Sequence, residues 1–114
     1  MTVPKLDIIC SSEQVAQAVC AVCNISSEQL VYAPKSREVN LARGLYCAVT
    51  KLAGIHPTDA AATIKRSRAN VITVAKHYKG YLEVRDAVTT NLYNKIVDYL
   101  QSKQDALSDK QRTD

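Results

Sequence analysis

The chain has 114 residues, 46% of them apolar and 23% charged, with a formal net charge of +4, the balance of one globular domain with room for a single core. Its three glycines, Gly44, Gly54 and Gly80, are too scattered for a glycine-rich phosphate loop, so nucleotide hydrolysis has no sequence support. The charge is uneven, at −2 over residues 1–34, +7 over 35–79 and −1 over 80–114, and such a concentrated positive field favours a polyanionic partner.

In chain order, Met1 to Lys5 has no apolar stretch behind its charge, so no secretory signal is expected. No uncharged apolar run approaches the roughly 18 residues of a membrane span. Ser11-Ser12 can cap a first helix that ends near Cys23-Asn24. Val15, Ala18, Val19, Val22 and Cys23 form its buried stripe, which makes Cys23 a small core residue and leaves Cys20 off the stripe. Cys20 and Cys23 match Cys-x-x-Cys, but no second pair follows and His56 and His77 lie far apart. Neither a metal nor a cofactor is expected. Thiols without a secretory signal suit a reducing, cytoplasmic compartment.

Ser26 to Leu30 reads as a short second helix that stops before Ala33-Pro34. Pro34 to Glu38 is a basic loop. The most regular helix runs from about Val39 to Ala53, with Leu41, Leu45, Ala48, Val49, Leu52 and Ala53 on one face and Gly54 as its stop. Gly44 inside it costs roughly 1 kcal/mol against alanine unless packing requires it. Thr58 is the expected cap of a short Ala60–Ile64 helix, Lys65-Arg66-Ser67 the break, and Ser67 the cap of a helix from Arg68 to about Leu82 that Gly80 can interrupt. A last amphipathic helix covers about Asp86 to Gln101, with Val88, Leu92, Ile96, Tyr99 and Leu100 inward. The expected architecture is all-α, with five to six short helices in a domain over residues 1–101 and a polar, fraying tail over 102–114.

The Ala-rich helix, short turn and second helix with bases at its start have the outline of a helix-turn-helix. If Val71, Ile72, Ala75, Tyr78 and Leu82 face the core, the opposite side carries Asn70, Thr73, Lys76 and His77, with Arg66 at the entrance. Arg and Asn can bond guanine and adenine bidentately, and Thr offers a hydroxyl and a methyl group. Tyr46, Tyr78 and Tyr81 have rings able to stack on single-stranded bases, but at helical spacing they read as core edges. No Ser/His/Asp, Cys/His or paired-carboxylate grouping supports an enzyme.

From about Val15 to Leu100 the chain resembles the C-terminal DNA-binding domain of the bacterial replication initiator DnaA, a helical domain with a Trp-repressor-like helix-turn-helix. The residues that carry the likeness are the opening helix with Leu30, the basic loop Lys35-Ser36-Arg37 before Leu41-Ala42-Arg43, and the hydrophobic helix Leu45 to Gly54. Thr58-Asp59-Ala60 and the turn Ile64-Lys65-Arg66-Ser67 follow in the same order, and Ile72 and Ala75 match the Val and Ala of the recognition helix. The family signature Asp-His-Thr-Thr-Val is replaced by Arg68-Ala69-Asn70-Val71-Ile72, so the resemblance implies the surface and not the DnaA box as its target. The family's ATPase module has no counterpart in this sequence.

Base readout is accordingly expected from Arg68, Asn70 and Thr73, with Ser67 and His77 at the margins. Phosphate or minor-groove contacts are expected from Lys35, Arg37, Arg43, Lys65 and Arg66, and the resemblance makes Arg37 the nearest candidate for the minor groove. The resulting expectation is sequence-preferring recognition of double-stranded DNA in replication or transcription control, with no membrane and no small-molecule substrate. A helical protein–protein adaptor reading an acidic partner through the same basic face is the alternative, and a thiol-redox sensor using Cys20 and Cys23 a third. Oligomeric state is open.

Overall fold

Serine caps account for most of the helix starts. In the computed structural model, which describes residues 5, 6, 8, 10–34 and 36–112 (104–112 by backbone alone), the side chains of Ser11, Ser26, Ser36 and Ser67 each accept a hydrogen bond from the amide three residues on. Each satisfies one of the donors that a helix leaves unpaired at its first turn. Gln14 and Gln29 return the bond to the amides of Ser11 and Ser26, completing two capping boxes. The described residues are all-helical, with no strand: α1 (Ser12–Cys23), α2 (Ser27–Tyr32), α3 (Arg37–Leu52), α4 (Pro57–Thr63), α5 (Arg68–Glu83) and α6 (Ala87–Arg112).

Several helix ends and faces differ from the sequence expectation. The cap of α4 is His56, not Thr58: its Nδ1 accepts from the Thr58 amide at 3.1 Å, with Pro57 in the first helical position. Gly80 does not interrupt α5. No glycine or proline follows Gly80, and α6 accordingly continues to Arg112 instead of ending near Gln101. Val88 is 61% exposed, because Asp86 caps α6 by accepting from both the amide and the hydroxyl of Thr89. Thr89 thereby takes the buried position.

Helix α3 packs against each of the other five helices, most extensively against α5. Its Leu45, Tyr46, Ala48 and Val49 have no exposed surface, and Val15, Val19, Leu30, Ile64, Ala75 and Ile96 close over them from the surrounding helices. Tyr46 is the largest fully buried side chain, and its hydroxyl donates to the Ala60 carbonyl of α4 at 2.7 Å. In α1 the expected cysteine order is reversed. Cys20 is buried and Cys23 half-buried, since α1 is covered by both α3 and α6 and the buried face is wider than one stripe. All four thiols are free. Burial raises the pKa of Cys10, Cys20 and Cys23 and pushes Cys47 up to about 12, so the thiolate a redox sensor needs is disfavoured.

Gly44 explains itself in three dimensions. A Cβ built on it would lie 2.2 Å from two ring atoms of Tyr78, so the tyrosine of α5 rests directly on the α3 backbone. Around Gly80 a Cβ meets nothing within 4 Å. The two alanine substitutions are therefore expected to have opposite signs in urea denaturation. Gly80→Ala should gain about 0.5–1 kcal/mol from helix propensity, whereas Gly44→Ala should lose about 1–3 kcal/mol to overpacking. A stabilised Gly44→Ala protein would contradict the α3–α5 packing.

Candidate nucleic-acid interface

The positive stretch of the sequence folds into neighbouring pieces, the start of α3, the turn after α4 and the first turns of α5, set beside the end of α2. Between them lies a groove of about 560 Å³, with Pro34, Asn40, Arg43, Arg66, Asn70 and Tyr78 among its walls. The lining includes two guanidinium groups and, among the described residues, no carboxylate. Burial, and then the charge of Arg66, lower the pKa of the Arg43 guanidinium. The pair is thus close enough to repel, and no described acid offsets it.

Arg43 is committed on its other side. Its Nε donates to the Leu30 carbonyl at 2.7 Å, and its Nη2 donates to those of Ala33 at 2.7 Å and Val31 at 3.4 Å. These are carbonyls at the end of α2, which a six-residue helix leaves without internal donors. The sequence assigned Arg43 to phosphate contact. The structure adds a second role: Arg43 is a half-buried clamp on the end of α2, with its charge at the groove edge.

The turn between α4 and α5 is closed by Ile64 to Ser67. Arg66 N donates to the Ala61 carbonyl at 3.0 Å and Lys65 N to that of Ala62 at 3.2 Å, which is a Schellman termination of α4. Its left-handed position, usually glycine, is Lys65 with φ +53°. The Lys65 ammonium bonds the Tyr32 hydroxyl and lies 5.1 Å from the Tyr32 ring centroid, tying the turn to α2.

The remaining expected residues sort by helix phase. At about 100° per residue, Asn70, Thr73 and His77 fall within about 60° of one another on α5, and all three are exposed. Arg68 is also exposed but falls about 160° from Asn70, on the flank facing α4 with Ile72. Ile72 is 41% exposed, not core as its spacing suggested, because the inward stripe is the buried Val71, Ala75 and Leu82 with the half-buried Val74 and Tyr78. Ser67 is spent on capping α5. Arg37 is the first residue of α3, exposed and without a charged or hydrogen-bonded partner among the described residues. Lys35 lies outside the described residues.

Asn40 and Tyr32 enter this site without having been marked by sequence, and Tyr78, read there as a core edge, lines the groove. Tyr78 reaches it because Gly44 admits its ring, and its hydroxyl donates to the Asn40 carbonyl at 3.4 Å. Nothing local to those residues signals the juxtaposition. Among the described residues no cluster of three His, Cys, Asp or Glu could hold a metal ion, and no helix is long and apolar enough to cross a membrane. What the groove can do chemically is hold anionic oxygen. No family model, curated protein or solved structure matches the chain.

The clamp is testable apart from any ligand. Arg43→Ala should destabilise the fold by about 1–3 kcal/mol in chemical denaturation, since it removes charged hydrogen bonds to half-buried carbonyls. Arg43→Lys should recover only part of this, because a point charge cannot reach two carbonyls as a planar fork does. Equal stability of all three proteins would remove Arg43 from the fold's supports.

Proposed function

We propose that the chain binds double-stranded DNA with a preference for sequence, using α4, the Ile64–Ser67 turn and α5 as a helix-turn-helix. The observation that carries this reading is the groove where Arg43, Arg66 and Asn70 meet from three elements without a carboxylate. Two cations held together at a cost in repulsion favour a bound polyanion.

In this reading Arg37, Lys65, Arg66 and Arg68 neutralise phosphates, while Asn70, Thr73 and His77 face base edges. Two further features support it. The first residues of α5 carry no acid and start from a capped end, which suits phosphate approach. Lysine and not glycine stands in the left-handed turn position, which puts a positive charge at the turn beside Arg66. The resemblance to the DnaA C-terminal domain fits the same surface, in a chain whose task would be replication or transcription control by binding and not by catalysis. The altered signature at Arg68 to Ile72 makes the target a sequence other than the DnaA box.

The test is fluorescence anisotropy with a random-sequence duplex, followed by selection from a random library at fixed salt. Neutralising about four phosphates predicts a log–log salt slope of roughly −3 to −4. Arg66→Ala with Arg68→Ala should weaken all duplexes and flatten that slope by about two units. Asn70→Ala should cost about 1–3 kcal/mol on the selected site and little on others. Unchanged affinity in the double variant would refute the reading. No binding at low salt would leave the basic face to an acidic protein.

A further inference from the structure

On the other flank of α5 lies a second groove, of about 330 Å³, with Cys47, Lys51, His56, Val71, Ile72 and Ala75 among its walls. Its floor is apolar in effect. Cys47, Ala60, Val71 and Ala75 are buried, and Thr50, the one hydroxyl beneath it, is satisfied by donating to the Cys47 carbonyl at 2.9 Å. Its edge is cationic: Lys51 is exposed and has no partner among the described residues. His56 accepts the Thr58 amide at Nδ1, which leaves Nε2 as the ring nitrogen that carries the proton and donates. Among the described residues no carboxylate lines the groove, and the exposed Ile72 forms part of its wall.

We propose that this groove binds a small monocarboxylate with a flat or compact apolar body, its acid on Lys51 and His56 and its body on Ala75, Val71 and Ile72. The charge complementarity selects the anion. The floor, which offers no unpaired donor or acceptor, selects an apolar body over a sugar or a nucleotide. At about 30 Å³ per water-sized group the space admits roughly ten such groups, the size of an aromatic or branched-chain acid. The glycine at position 54 (φ +78°) sets the turn that brings Ile55 and His56 over the end of α3.

The experiment is a ¹H–¹⁵N titration of the full chain with benzoate, benzamide and acetate. Benzoate should shift the amides of Lys51, Ile55, Ile72 and Ala75 saturably, with a low-millimolar constant suited to a ligand of its size. Benzamide, which lacks the charge, should bind at least about fivefold more weakly, and acetate, which lacks the body, should not saturate. Lys51→Ala alters an exposed side chain and keeps the fold. It should weaken benzoate about fivefold and leave benzamide unmoved. No saturable benzoate shift, saturation centred elsewhere, or an unaffected Lys51→Ala protein would each overturn the proposal. Neither ligand nor readout involves nucleic acid, so the result is separate from that of the DNA test.

Discussion

The hydrogen bond from Tyr46 to the Ala60 carbonyl fixes the relation on which both grooves depend. A fully buried phenol has to place its hydroxyl, since leaving it unpaired would cost about 1–3 kcal/mol. Here the nearest solution is the backbone of α4. Burial also pushes the Tyr46 pKa up to about 12, so the group remains a donor at any ordinary pH. Ser12 and Thr63, whose hydroxyl oxygens lie 2.6 Å apart, tie the far end of α4 to α1. With α4 held at two points on α3 and α1, the position of its last turn is determined, and with it the start of α5.

The basic groove is then partly a by-product of folding. Helix α2 is six residues long and ends without a basic residue of its own, so its carbonyls need an external donor, which Arg43 supplies from α3. That fixes one guanidinium at the mouth of the connection. Arg66 comes to the same place because the termination of α4 turns the chain back at Lys65. A carboxylate anywhere in the lining would relieve the pair, and none occurs among the described residues. The structural use of Arg43 and a ligand-binding use of its charge are compatible, since the bonds to α2 engage its Nε and Nη2.

Much of the helical frame was legible because it rests on local chemistry. Ser11, Ser67, the stop at Gly54 and the break at Lys65–Ser67 act within a few residues of themselves, and the structure has them where the sequence indicated. Misreadings arose where a position could satisfy two patterns. Ile72 and Val88 have the spacing of core residues, but each lies one step off the face the neighbours cover. His56 took the cap expected of Thr58 because Pro57 prefers the first helical position and moves the boundary back. The candidate interface was half legible. Its charges showed as a local excess, while Arg43's clamp and the arrival of Asn40, Tyr32 and Tyr78 depend on contacts ten or more residues apart.

Gly44 and Lys65 both run against local preference, as does Arg85 at φ +57° in the turn before α6, and the first two are resolved differently. Glycine in the middle of α3 costs roughly 1 kcal/mol against alanine, and the Tyr78 ring on its Cα accounts for it through packing. Lysine at φ +53° costs about as much or more relative to glycine, yet no buried surface rewards it, for Lys65 is exposed and its partner Tyr32 is exposed as well. An exposed cation–π contact contributes about 0.5–1 kcal/mol, which at best balances the strain. Where local and tertiary preferences agree a sequence needs no further explanation. At Lys65 they do not, and what the lysine adds over glycine is a positive charge at the turn between α4 and α5, beside Arg66, where the proposed duplex would lie.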